Sequence, residues 1–154
     1  MEHLVNTLRH DYSHLIFTPG PVAHWSPATN QVIYKSGNTS EAVWTLLHEL
    51  GHALLDHASY KSDVDLLQKE VAAWEKAASL ARHYGKTVDA QYIQGCLDTY
   101  RDWLYKRSTC PLCENHGIQS SEHVYTCVNC HNTWRVTWAR FCRPYRRLNI
   151  PTTK

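Results

Sequence analysis

Two groups of residues in this chain carry chemistry by their type and spacing. The first is His48-Glu49-Leu50-Gly51-His52. Histidines four apart stand one above the other on a helix, where two imidazoles can share one zinc ion. The glutamate between them is then placed as a base toward a water on that metal. The second group is Cys110-Pro111-Leu112-Cys113 with Cys127-Val128-Asn129-Cys130, two Cys-x-x-Cys pairs separated by thirteen residues. That spacing suits two zinc knuckles joined by a hairpin, which is a closed, structural four-cysteine site of the zinc-ribbon kind.

The first group needs a helix to position it. At about 100° per residue, with His48 at zero, His52 falls near 40° and Glu49 near 100°. Val43, Leu46, Leu47, Leu50, Ala53 and Leu54 occupy the opposite arc, so one face packs on a core while the other presents two ligands and a base. His57 falls near 180° on the same wheel, inside the apolar arc, and a helix continued to Ala58 keeps it away from the metal. A third ligand must come from elsewhere. On the next helix Glu70 stands inside the apolar stripe formed by Leu66, Leu67, Trp74, Ala77 and Ala81, and Glu75 stands at its polar edge. An ionised carboxylate in such a stripe is costly unless something compensates it. Zinc on the facing helix would do so, which favours Glu70 over Glu75, with a buried salt bridge as the bland alternative. His24, His83 and Tyr84 are candidates for polarising a carbonyl, and each also reads as an ordinary surface or core residue.

Around these groups the chain reads as α+β. Residues 1–12 form a short helix by composition. Leu15-Ile16-Phe17, residues 22–25 and residues 31–34 read as three strands of a small antiparallel sheet, punctuated by Pro19-Gly20-Pro21 and by a turn at 26–30. Asn38 followed by Glu41 suits a capping box ahead of the His48 helix. Ser62 with Asp65 opens a second helix that Gly85 closes, and a third runs over residues 88–106. No internal repeat stands out. The result is a zincin-like domain over residues 1–107, with its sheet, the His48 helix and two further helices. A four-cysteine zinc ribbon with a basic tail follows over 108–154.

Leu46-Leu47-His48-Glu49-Leu50-Gly51-His52-Ala53-Leu54-Leu55, followed by Glu70 and then Ala73-Trp74, resembles the ImmA/IrrE-type metallopeptidases of bacteria and their mobile elements. The resemblance covers about residues 15–85. It implies His48, His52 and Glu70 as ligands of a catalytic zinc, Glu49 as general base, and hydrolysis of peptide bonds, often in a transcriptional regulator. Position 74 is Trp, where many such enzymes carry an acid or amide that orients a ligand histidine, and the family pattern has no cysteine module. A SprT-like protease, which pairs the same motif with a C-terminal ribbon and acts near DNA, is the rival enzyme. It implies a downstream histidine as third ligand, here His83. A non-catalytic DNA-binding or regulatory protein with a structural zinc is the rival from another class.

Composition bounds the partners. The 154 residues carry a net charge of +2, but residues 1–100 hold seven Lys/Arg against eleven Asp/Glu, and residues 101–154 hold nine against three. Such asymmetry suggests two modules with different partners. Trp134-Arg135-Val136-Thr137-Trp138-Ala139-Arg140 alternates like a strand, and Arg143, Tyr145, Arg146 and Arg147 form a basic tail. They suit weak nucleic-acid binding beside a protein or peptide substrate, with a solvated arginine-rich terminus or substrate-protein docking as alternatives. No apolar run approaches a membrane span and no secretory pattern opens the chain, so a cytoplasmic protein is expected. Cysteine pairs in that setting hold metal rather than form disulfides, and the leftover Cys96 and Cys142 read as buried thiols.

Overall fold

The computed structural model describes residues 1–137 and 146–148. Within them the chain is α+β, with four helices and two small sheets. It divides into two units, Met1–Tyr60 with Gln68–Gly95, and Lys61–Leu67 with Cys96–Lys154.

In the first unit, α1 (Glu2–Asp11) turns Leu4, Val5 and Leu8 inward, one stripe of an amphipathic helix. The strands β1 (Ile16–Pro19), β2 (His24–Ser26) and β3 (Gln31–Tyr34) form a sheet of order β1-β3-β2. β3 takes the centre, and its buried Val32 and Tyr34 alternate with half-buried Gln31 and Ile33, as a strand with one face on a core must. The sheet is mixed rather than antiparallel throughout. β2 runs antiparallel to β3, whereas β1 runs parallel to it, with Phe17 beside Val32. The turn ending at Asn30, whose φ is 54°, folds β2 back onto one side of β3. After β1 the N–H of Gly20 continues the ladder onto the Tyr34 carbonyl at 2.9 Å, and Pro21 has no N–H to give. The chain therefore leaves along β3 instead of turning back beside β1.

α2 (Ser40–Leu54) lies against β3 and β2 with Leu46, Leu47 and Leu50 fully buried. Its N-cap is Thr39 rather than Asn38: the Thr39 hydroxyl accepts from the Ala42 N–H at 3.2 Å. α3 (Asp63–His83) buries Ala73, Trp74, Ala77, Leu80 and Ala81 along one stripe, and Glu70 is buried in line with them. It ends as expected at Gly85, whose φ of 65° suits glycine and lets the Lys86 N–H return to the Ala81 carbonyl at 2.8 Å.

The second unit takes the end of α4 (Ala90–Ser108) and an antiparallel sheet of order β4-β5-β6-β7: β4 (Gly117–Ser121), β5 (Val124–Cys127), β6 (Thr133–Val136) and β7 (Arg146–Leu148). Its core is Cys110, Tyr125, Cys127, Trp134 and Val136, with Tyr125 and Trp134 paired across the strands and their rings stacked 5.8 Å apart. Asp63, Arg107 and Tyr125 form a buried polar cluster that periodicity did not announce. Arg107 Nε donates to Asp63 Oδ2 at 2.6 Å, Nη2 donates to Oδ1 at 3.3 Å, and the Tyr125 hydroxyl donates to Oδ2. Cys96 is half-buried. Trp138, Arg140, Cys142, Arg143 and Tyr145 lie outside the described residues. No helix among the described residues is long and apolar enough to cross a membrane.

Candidate metal centres

α2 presents His48 and His52 on the arc that its leucines leave free, and α3 brings Glu70 to them. The two Nε2 atoms lie 3.1 Å apart, His48 Nε2 lies 3.2 Å from Glu70 Oε2, and His52 Nε2 lies 3.7 Å from Glu70 Oε1. Three donor atoms thus converge on one point, an arrangement that could hold a metal ion. Gly51 makes the meeting possible. A Cβ at that position would stand 2.7 Å from the backbone oxygen of Ala73, so the two helices approach closely just where Glu70 is one turn away. Ala73, the residue Gly51 meets, and Ala77 are small and fully buried on α3. Trp74 stacks on the His48 ring at 4.1 Å and 24°, with Tyr92 and then Trp44 extending the aromatic row behind it.

The electrostatics separate the two acids. Burial would raise the Glu70 pKa, but hydrogen bonds and attraction from His48 and His52 outweigh it, and the carboxyl stays well below the ordinary range. Glu70 is therefore the anionic member of the group. Glu49 goes the other way: burial raises its pKa despite the pull of both histidines. It is not one of the three converging donors. The N–H of Trp25, on edge strand β2, donates to Glu49 Oε2 at 2.8 Å.

Other sequence candidates stand elsewhere. Glu75 is exposed. His83 is exposed with its ring edge-on to Tyr84, and the Tyr84 hydroxyl donates to Asp11 at 2.8 Å. His24 is exposed, with Nδ1 3.1 Å from the Val22 carbonyl. His57 corrects the wheel. α2 stops at Leu54, Asp56 takes a φ of 53°, and the chain folds back so that His57 Nδ1 lies 2.8 Å from His52 Nδ1.

The four cysteines of the second unit converge in the same way. Cys110 Sγ and Cys130 Sγ are 3.7 Å apart, and Cys113 Sγ is 3.5 Å from both Cys127 Sγ and Cys130 Sγ. They too form a group that could hold a metal ion. The backbone around each pair repeats. Cys110 N–H donates to the Asn115 carbonyl at 2.8 Å and Cys127 N–H to the Asn132 carbonyl at 2.9 Å. Glu114 and His131, one residue past each pair, both have φ near 60°. The signal for this was present in Cys-x-x-Cys-x-Asn, which occurs twice, so the chain does contain a short internal repeat. The backbone N–H of Asn115 holds the Cys113 thiol down to about 6, whereas the neighbouring thiols push Cys130 up to about 12, against the pull of the Asn132 backbone. No protein-family model, curated protein or solved structure matches this chain, and these two ligand groups are what its function can be read from.

Proposed function

We propose that the chain is a zinc-dependent metallopeptidase of zincin type, with His48, His52 and Glu70 as ligands, Glu49 as general base, and the four-cysteine group as a structural zinc ribbon. The observation that carries this reading is the division between the acids: Glu70 closes a three-donor group, while Glu49, on the same helix as both histidines, is held out of it by a strand N–H. The distances suit zinc. A tetrahedral ion with bonds of about 2.0–2.1 Å to nitrogen and oxygen spaces its ligands by roughly 3.3 Å, and bonds of about 2.3 Å to sulfur space them by roughly 3.8 Å. The contacts in the first group run from 3.1 to 3.7 Å; in the second, three sulfur pairs lie at 3.5–3.7 Å and all four sulfurs within 4.8 Å of one another. Two imidazoles with one carboxylate leave a fourth position open, as catalysis requires, whereas four thiolates close the shell.

Zinc, when bound at the first group, supplies a Lewis acid that polarises a scissile carbonyl and acidifies water. The chain's own residues do the rest. Glu49 takes the proton of the attacking water, and its buried, raised pKa makes it a better base than a solvated carboxylate. The Trp25 N–H occupies Oε2, and Oε1 is the oxygen that takes the proton in this reading. β2 is a sheet edge, and with its Trp25 N–H given to Glu49, its outward carbonyl can pair with an extended substrate. The ligand set agrees with the ImmA/IrrE resemblance, which points to a regulatory protein as substrate, and a reducing cytoplasm suits four free thiols. The SprT-like alternative lacks this support, because His83 is not among the converging donors.

The test is zinc content beside cleavage of an unstructured peptide. The unmutated chain should carry two zinc ions. Glu70→Gln should carry one, and Glu49→Gln should keep both while its hydrolysis drops about 10²–10⁴-fold. Glu75→Gln should change neither. Full activity in Glu49→Gln ends the peptidase reading, and zinc loss in Glu75→Gln with retention in Glu70→Gln reverses the ligand assignment.

A further inference from the structure

His57 is a half-buried neighbour of His52 that the three candidate ligands alone do not explain. Its Nδ1 lies 2.8 Å from His52 Nδ1, with the rings 5.0 Å apart at 65°. The two nitrogens face each other, so one must carry the proton and the other must accept it. At the far side of the same ring, His52 Nε2 faces His48 Nε2 and Glu70 Oε1. A nitrogen that binds a metal there must present a lone pair, which leaves the His52 proton on Nδ1. We propose that His57 is a positioning residue for this centre: it accepts the His52 Nδ1–H and so fixes the tautomer and ring angle that turn Nε2 toward the metal. This rests on the reading of His48, His52 and Glu70 as a metal site.

The backbone is built to deliver the contact. Asp56 sits in the left-handed region at φ 53°, its N–H returns to the Ala53 carbonyl at 3.2 Å, and the His57 N–H returns to the His52 carbonyl at 3.1 Å. This helix ending, with a six-to-one and a five-to-two bond, reverses the chain and sets the fifth residue beyond His52 back over it. His57 and His52 are therefore tied twice, once through the main chain and once through the rings. His48 has no equivalent polar partner: among the described residues its buried Nδ1 has no hydrogen-bond partner, and its ring is held by the stack on Trp74. The hydrogen-bonded orientation of the centre thus falls to His57, the role that a carboxylate or carbonyl plays for most metal-binding histidines.

Full-length His57→Phe and His57→Asn decide the matter through zinc affinity, measured by competition with a chromophoric chelator. Phe keeps the ring and loses the acceptor. Asn places Oδ1 where Nδ1 stood, one bond beyond Cγ, and keeps the acceptor. His48→Ala, which removes the centre, shows which binding step belongs to it. The expected result is a loss of about 10–100-fold in affinity at the helical centre for His57→Phe, with His57→Asn near the unmutated chain. Far-UV circular dichroism of the metal-free forms checks folding, and His57→Ala takes the place of Phe if the larger ring is not accommodated. Equal affinity in His57→Phe and the unmutated chain, both with two zinc ions, overturns the proposal and leaves the metal site standing. Weakening in His57→Asn equal to that in His57→Phe also overturns it, because a role in shape alone would give that result. One zinc in the unmutated chain, as in His48→Ala, overturns the metal site and the proposal together.

Discussion

Glu70 and Asp63 are both carboxylates buried on α3, yet they answer to different partners. Asp63 meets the Arg107 guanidinium through two donors and the Tyr125 hydroxyl through a third, and Arg107 also donates to the Thr137 carbonyl and lies 4.4 Å over the Trp103 ring. A permanent cation already balances that acid. Among the described residues Glu70 meets two imidazole nitrogens, which supply no net charge when neutral, and the three side chains form a group that could hold a metal ion. The distinction predicts what each partner's loss does. Arg107→Leu leaves Asp63 as an uncompensated buried charge and should cost about 3–5 kcal/mol in urea unfolding of the full chain. Tyr125→Phe removes one hydrogen bond from the same acid and should cost about 1–3 kcal/mol. If Tyr125→Phe proves the more damaging of the two, the cluster is held by the hydroxyl and not by the charge pair.

At the scale of elements, the site exists because α2 and α3 touch at Gly51. Alanine there would gain roughly 1 kcal/mol in helix propensity. Against that stands a methyl group 2.7 Å from the Ala73 backbone oxygen, which cannot rotate away. Overpacking of this kind costs about 1–3 kcal/mol, so the clash wins and the helices must separate. A shift of a few tenths of an ångström moves Glu70 relative to both Nε2 atoms. Gly51→Ala should therefore keep the ribbon zinc, lose most of the helical zinc, and unfold at lower urea than the unmutated chain. Two zinc ions in Gly51→Ala at unchanged affinity would show that the close approach does not set the site.

Across the whole molecule the charge is divided, with −4 on residues 1–100 and +6 on residues 101–154. Arg135 on β6 and Arg146 on β7 are exposed, and Arg146 also donates to the Thr109 carbonyl at 2.9 Å. Contacts of such side chains with phosphates release counterions, so binding would fall steeply with salt and carry little sequence preference. The full chain should bind duplex DNA weakly at about 50 mM salt and lose most of that affinity by about 200 mM. Arg135→Glu should weaken it further at low salt. Titration by fluorescence anisotropy checks this, and either no binding at low salt or binding indifferent to salt removes the nucleic-acid proposal.

What the sequence by itself determined lies where local geometry rules. A 3.6-residue period sets His48 and His52 on one arc and leaves Glu70 as the misfit in an apolar stripe, because helix angles follow from the backbone alone. Two Cys-x-x-Cys pairs likewise carry their own turn. Tertiary structure decided the rest, each time through a partner distant in sequence or through a residue in an uncommon conformation. β1 runs parallel to β3, with the Gly20 N–H continuing the ladder onto Tyr34, a direction that strand composition does not encode. Asp63 and Arg107 are forty-four residues apart, and neither breaks a local pattern strongly enough to announce the pair. The ends of α2 and α3 make the contrast sharpest. Both close with the same reversal, at Asp56 and at Gly85. Glycine signals a left-handed residue and was readable; aspartate adopts that conformation only where the surrounding bonds favour it, and so the turn that returns His57 to the site was not.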